Sequence, residues 1–349
     1  MNAPHDIFSV MTVSPPEVSP ELAVAVARQW WGIDATAHPL RGERDSNFHL
    51  RCADGNAFVL KFANPAEDAD FRDMQIAALR HVARVDPGLM VPRIIPRPDG
   101  AIQAELPRDG GTILRARLLS FVPGAVLRST VRSAAQREAC GRMLARLQAA
   151  LAGFTHRARD HQVVWDLQHT PLLRQIAFAI PHDAARARVG ELLDEFDRRV
   201  VPMLPSLRRQ MLHNDLNDQN MLADPDDPTR IVGIIDFGDL AETAVVFDVA
   251  IAAVTQAGPA DDVPTALADF VGGFHAERPL LPEEVALLPL LMAVRIAMGT
   301  TLSAWHRHSQ PDNPHFEVTE ATIRRRLALM AALHSPATVH ALRRACGLT

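Results

Sequence analysis

The sequence predicts an α+β protein in two lobes: an N-terminal antiparallel β-sheet lobe carrying a helix, and a mainly helical C-terminal lobe. Three observations carry this. Short β-branched and aromatic runs recur between residues 49 and 121, helical spacing dominates after residue 124, and Val122-Pro123-Gly124 breaks the pattern between them. The expected division is a tail over 1–19, an N-terminal lobe over 20–122 and a helical lobe over 123–349.

Taken in order, Pro20–Trp31 has Leu22, Val26 and Trp30 on one helical face, with Ser19 available as its cap. The runs His49–Cys52 and Ala57–Phe62 are strand-like, and Asp54-Gly55-Asn56 between them is a hairpin signal. Asp68–Val85 returns to helical spacing through Phe71, Met74, Ala78, Leu79 and Val82, and stops before Pro87-Gly88. Further strands are expected at Arg93–Ile95, Ala101–Leu106 and Thr112–Phe121. Helices follow at Ser133–Leu151 and Asp183–Val200, three short apolar runs lie between Gln210 and Phe237, and helices fill the chain from Val245 on. The most apolar stretch, Val285–Met298, is interrupted by Pro289 and Arg295; it reads as a buried helix too short to span a bilayer.

Composition narrows the function. A 349-residue chain that is 48% hydrophobic and 22% charged builds a real core. Its net charge of −5 argues against a nucleic-acid or membrane-surface binder. Cys52, Cys140 and Cys346 show neither disulfide nor metal spacing, and no basic-then-apolar leader precedes residue 20, so a cytoplasmic setting is expected. The 36 basic residues include one lysine, Lys61. Where arginine has replaced lysine throughout, the survivor marks a position that needs a compact ammonium rather than a planar guanidinium.

The chemistry is concentrated in Met211-Leu-His-Asn-Asp-Leu-Asn-Asp-Gln-Asn-Met-Leu222 and Ile231-Val-Gly-Ile-Ile-Asp-Phe-Gly-Asp239. His-x-Asp, an Asn five residues after that Asp, and an apolar strand ending in Asp-x-Gly are the groups phosphoryl transfer needs. Asp215 is placed to accept the proton of an attacking hydroxyl. Asn220 and Asp236 offer oxygen ligands for Mg²⁺, and Gly238 would let the backbone turn after the metal ligand. His213, in the catalytic segment, is read as supporting the loop by hydrogen bonding.

These motifs resemble the aminoglycoside phosphotransferase and choline kinase superfamily, whose fold is protein-kinase-like. Within it the chain is most similar to hydroxylysine kinases and to the phosphotransferase domains fused to class III aminotransferases. The marks are Leu40-Arg-Gly-Glu-Arg-Asp-Ser-Asn-Phe48, Phe58-Val-Leu-Lys-Phe62, Gln75-x-x-Ala-Leu79 and His213–Asn220, in a resemblance spanning roughly residues 20–310. It implies a small-molecule kinase that uses Mg²⁺ and a nucleoside triphosphate, GTP or ATP, with the hydroxylysine kinase likeness pointing to GTP. Lys61 would bind the α/β-phosphates; Ser46 and Asn47 would approach the β/γ-phosphates; Ser120 and Val122 would lie at the hinge that receives the base. The helix acidic residue that usually orients such a lysine is replaced by Gln75, with Glu67 and Asp73 as nearby alternatives.

For the acceptor, Asp215, Asp239 and Glu242 would form an acidic surface suited to an ammonium group, Glu242 reading equally as a solvated carboxylate at a helix start. Arg295 is a lone charge in an apolar stretch, so it either pairs with an internal carboxylate, the favoured reading, or holds a substrate carboxylate. Asp248, in Phe247-Asp-Val-Ala250, would steady the catalytic region. The expected partners are the nucleotide and a small hydroxylated amine or amino acid, with no nucleic acid or membrane, in a monomer or homodimer. The alternatives are an aminoglycoside-type kinase and, in another class, a non-catalytic pseudokinase that only binds. The latter is opposed by the joint presence of Lys61, Asp215, Asn220 and Asp236. A metal hydrolase built on His213, Asp215 and Asp236 lacks a further histidine cluster. Lys61→Arg is expected to lower turnover roughly 100-fold or more with an unchanged melting temperature, compared by steady-state kinetics and thermal melts.

Overall fold

The computed structural model describes residues 7–8, 13–42, 44–108, 111–257, 260, 262–309 and 319–348. The chain divides into two compact units at Pro123/Gly124.

In the first unit, α1 (Pro20–Trp31) begins where Ser19 Oγ accepts the Leu22 N–H, as its sequence signal predicts, and ends at Gly32 in the left-handed region. Strands β1 (Ala35–Leu40), β2 (Ser46–Cys52), β3 (Ala57–Phe62), β4 (Ile94–Ile95), β5 (Ala104–Pro107) and β6 (Ile113–Ser120) form an antiparallel sheet. The order is β1-β2-β3-β6-β4, with β5 also pairing with β6. The hairpin at Asp54-Gly55-Asn56 is present, its Gly55 at φ +89°. Strand β1 carries no clear sequence signal: it is an edge strand with mostly exposed residues, which is why Pro39 is tolerated there. Helix α2 (Ala69–Val85) starts at Asp68, whose carboxylate accepts the Phe71 N–H.

Strand alternation sorts this unit into two faces. Phe48, Leu50, Leu60, Phe62, Leu114 and Leu118 pack with Ala23, Val26 and Trp31 of α1 in one buried cluster. The intervening residues Asn47, Lys61 and Arg117 sit directly opposite one another across β2, β3 and β6, on the other face. The expected tail is not loose throughout: Pro16 accepts a hydrogen bond from Ser46, and Val13 and Ser14 accept from Asn64. Residues 1–6 and 9–12 of that segment lie outside the described residues.

The second unit opens with β7 (Ala125–Val126) and α3 (Ala134–Leu151), then α4 (Asp183–Arg199) and β8 (Arg209–Leu212). Next come β9 (Met221–Ala223), β10 (Ile231–Ile234) and β11 (Ala241–Ala244), and helices α5 (Val245–Ala257), α6 (Val263–Glu277), α7 (Pro282–Ser309), α8 (Glu320–Leu333) and α9 (Pro336–Ala345). Two small antiparallel sheets, β10-β9-β7 and β11-β8, frame the loops that carry the motifs. Helix α7 corrects the expected length: it runs 28 residues through Pro289, long and apolar enough to cross a membrane by length and composition, with 78% of its apolar window buried inside the protein. Pro289 lies within two turns of the helix start, and the helix continues past it because a proline removes only one intrahelical bond.

Phe62 is fully buried in the sheet core beside Lys61. Phe62→Ala is expected to destabilise the protein by about 3–5 kcal/mol in urea titrations.

Candidate active site

The catalytic segment is a loop between β8 and β9 held from several sides. His213 and Asn214 are fully buried. His213 Nε2 lies 3.0 Å from the Ile235 carbonyl and its Nδ1 3.3 Å from the Asp215 amide nitrogen. A carbonyl only accepts and an amide N–H only donates, so the ring is the neutral tautomer protonated at Nε2. Both nitrogens are engaged, and the ring also packs edge-on against Phe237 at 4.9 Å. His213 is a brace for the loop. Asn214 stands at φ 64°, in the left-handed region, and its N–H donates to Asp248 Oδ1 at 2.9 Å. Asp248, on α5 and wholly buried, also accepts from Gln148. Burial pushes its carboxyl above the usual range, while every one of these partners is a donor, the set that suits a carboxylate.

Asp215 follows. Its two oxygens each accept from Asn217 Nδ2 at 3.0 Å; Oδ2 accepts from Asn220 Nδ2 at 2.9 Å, and Oδ1 from Arg295 at 3.3 Å. The side chain remains 20% exposed. Partial burial and the Asp239 carboxylate push its carboxyl up to about 7, with Asp236 adding to the rise and Arg295 opposing it. Arg295 therefore makes an internal pair, as favoured from the sequence, but with Asp215 itself, and its guanidinium also stacks 4.4 Å over Trp165. Trp165, in a segment fifty residues upstream of the motif, left no periodic signal by which it could be found. Asn217 sits inside the motif and was legible as a further amide.

Asn220 and Asp236 are brought together by backbone pairing: the Ile235 N–H donates to the Asn220 carbonyl at 2.9 Å while the Ile235 carbonyl takes His213. The expected turn is present at Gly238–Asp239, and Asp236 just before it stands at φ 62°, its Oδ1 accepting the Gly238 N–H. The side-chain–backbone ring closes the left-handed conformation on the residue that bears the carboxylate. Asn220 has its amide nitrogen committed to Asp215, which leaves its oxygen as the donor atom on that side chain. An amide oxygen and a carboxylate suit Mg²⁺, which keeps waters and shares its shell with phosphates rather than needing a full protein cage. Among the described residues no group of three His, Cys, Asp or Glu is placed to hold a metal ion. Asp239 is buried near Asp215. Among the described residues the Glu242 side chain makes no hydrogen bond to them. It lies on β11 opposite Met211, not at a helix start, and its carbonyl accepts from Arg209.

The first unit holds the residues expected at the nucleotide. Lys61 Nζ lies 3.0 Å from Asp45 Oδ2. Burial alone would raise the Asp45 carboxyl, but Lys61 and Arg117 together hold it below the usual carboxylate range. Asp45 lies in the Leu40–Phe48 run, two residues before Asn47, which pairs with Lys61 in register. Gln75 does not stand as the principal partner of Lys61. Its Oε1 accepts from the neighbouring cation Arg117 at 2.7 Å, and its Nε2 donates to Glu67 at 2.9 Å. Asn47 shares the Lys61 face. Ser46 does not: it lies opposite Phe62, on the core face, and its hydroxyl donates to Pro16. Alternation of side chains along β2 is the reason. Ser120 has both its N–H and its hydroxyl bonded to the Arg93 backbone, and Val122 is buried just before the unit ends. Gly42 has no room for a side chain: a Cβ there would meet the Asp45 carbonyl at 2.4 Å. Glu43 of the same loop lies outside the described residues.

Comparison with known proteins shows the family and the fold. The family described as "Phosphotransferase enzyme family" matches residues 36–288. Hydroxylysine kinase of Danio rerio is 26% identical over 316 residues, covering 87% of this chain and 88% of that protein. Among solved structures, an amicoumacin kinase in complex with AMP-PNP aligns with a TM-score of 0.71 at 15% identity, covering 93% of this chain and 97% of that one. A microcompartment-associated aminopropanol kinase aligns at 0.68 and 18% identity, covering 92% and 97%. These likenesses show the protein-kinase-like α+β fold that the sequence predicts. Asp248→Ala, which strips acceptors from Asn214 and Gln148, is expected to cost about 2–4 kcal/mol in urea titrations and to lower kcat more than it raises the nucleotide KM.

Proposed function

We propose that this chain, which belongs to the phosphotransferase enzyme family, transfers the γ-phosphoryl group of GTP or ATP to the hydroxyl of a small amino-alcohol or hydroxylated amino acid. It is a small-molecule kinase. The observation that carries the finer reading is the Asp215 carboxylate, held by Asn217, Asn220 and Arg295 and set beside Asp236 and Asp239. A hydroxylysine-like acceptor is supported by the likeness to hydroxylysine kinase of Danio rerio, and an aminoglycoside-type acceptor is the alternative. Three free cysteines, two of them buried, suit a reducing cytoplasm.

In this reading Asp215 accepts the proton of the acceptor hydroxyl as its oxygen attacks the γ-phosphorus in line. The hydroxyl oxygen–phosphorus bond forms, the bond to the β-phosphate oxygen breaks, and the nucleoside diphosphate leaves. Asn217 and Asn220 fix the carboxylate plane so that little reorganisation is needed. Asn220 and Asp236 would hold Mg²⁺, whose charge offsets that of the phosphates. Lys61 would bind the α/β-phosphates, with Asp45 rather than a helix glutamate orienting it. A buried carboxylate 3.0 Å away gives a fixed, charge-assisted contact that Gln75 does not supply. Asn47 shares that face and would help at the phosphates; the structure gives Ser46 no such orientation. Val122, and the Ser120 carbonyl rather than its engaged N–H, would border the base.

Asp215→Ala is expected to lower kcat by roughly 1,000-fold while nucleotide affinity, measured by calorimetry, changes little; normal turnover would refute the base assignment. Asp45→Asn is expected to raise the nucleotide KM roughly tenfold and to leave the acceptor KM near its original value, and EDTA should abolish turnover until Mg²⁺ is restored.

A further inference from the structure

A cavity of about 530 Å³ lies among α5, α7 and α8 of the second unit. One part of its wall is Asn217 and Arg295, both of which bind the Asp215 carboxylate. Ile251, Val254 and Leu329 give it an aliphatic side. Its charges are unbalanced: Arg128, Arg295, Arg325 and Arg326 line it against one aspartate, Asp218. Asp218 is already shared by Arg128 and Arg132, at 3.1 Å each. Arg295 is engaged with Asp215. Arg325 and Arg326 make no ion pair among the described residues. Arg326 is fixed by the Thr300 hydroxyl at 3.3 Å, which itself donates to the Ile296 carbonyl, so the guanidinium is aimed rather than solvated. Burial, and then the charges of Arg325 and Arg295, hold the Arg326 pKa below the usual arginine value. Arg325 and Arg326 on α8, two neighbouring cations with no ion pair among the described residues, therefore make this wall a site for an anion.

We propose that Arg325 and Arg326 bind a carboxylate on the acceptor whose hydroxyl is presented to Asp215. The substrate class is therefore hydroxylated carboxylic acids, amino acids included, in preference to the amino alcohols that lack the acid. A planar guanidinium pair matches a carboxylate in two-point fashion, and the aliphatic wall takes the carbon chain between the two ends. This rests on the phosphotransfer reading above and selects between its acceptor classes. Both arginines lie on α8, beyond the residues 36–288 matched by the family, so the shared chemistry alone does not dictate them.

The test uses the full chain and a panel of hydroxylated amino acids. Each is paired with the amine left when its carboxylate is removed, hydroxylysine against 1,5-diaminopentan-2-ol among them. The wild type is expected to favour the acid by roughly 10- to 100-fold in kcat/KM. Arg325→Gln, Arg326→Gln and the double variant should erase that preference through the KM for the acid, and Arg326→Lys should restore part of it. Arg325 is exposed, so its variant separates recognition from folding. A wild type that favours the amines, a double variant that weakens acid and amine alike, or a rise confined to the nucleotide KM would overturn the assignment while leaving phosphotransfer intact. Absence of turnover on every pair would instead overturn the phosphotransfer reading, and this inference with it.

Discussion

The buried carboxylate of Asp248 holds the peptide N–H of Asn214, and the presentation of Asp215 depends on it. A non-glycine residue at φ 64° costs on the order of 1–2 kcal/mol. A hydrogen bond to a charged group contributes about 1.5–3 kcal/mol, enough to offset that cost. His213 closes the other side, tying the Asp215 N–H through its ring to the carbonyl of Ile235. Ile235 in turn binds the Asn220 backbone and precedes Asp236. A few directional bonds therefore fix Asp215 and both candidate metal ligands with respect to each other. Because each link is a single donor meeting a single acceptor, there is little room for a compensating rearrangement when one is removed.

The first unit solves a different electrostatic problem. Two cations, Lys61 and Arg117, stand side by side on adjacent strands. Separate acceptors serve them: Asp45 takes the ammonium, while Gln75 takes the guanidinium and passes its own amide N–H to Glu67. Asp45 is itself positioned by the Asn64 N–H, and the Asn64 side chain gathers the carbonyls of Val13, Ser14 and Arg44. An acidic helix residue at position 75 would add a third carboxylate to this set, beside Asp45 and Glu67. An amide gives Arg117 an acceptor without doing so.

Much of this was legible in the residues. The helices announced themselves through capping and spacing, as at Ser19 and Asp68, and the ordered His213–Asn220 and Asp236 motifs marked segments that the fold brings together, because their spacing is set by a short loop and a hairpin. What escaped was decided by contacts between distant segments. Strand β1 is an exposed edge with no alternating apolar pattern, and β11 was hidden by its small residues. Ser46 and Asn47 are neighbours in sequence, yet register sends one into the core and the other to the Lys61 face. Gln75, Glu67 and Asp73 were the legible candidates for Lys61, and nothing in the sequence shows that Arg117 takes Gln75 while Asp45 reaches the ammonium. Trp165 meets Arg295 only because a long irregular segment returns to α7.

Helix α8 has a consequence for how such a protein diversifies. It follows the stretch matched by the family and contributes to one wall of the cavity, while the backbone bonds that fix Asp215 lie entirely upstream of it. If α8 selects the acceptor as proposed, preference for a new one could be acquired by rewriting one late helix while those backbone bonds stay in place. Such a change would be confined to the fourteen residues of α8.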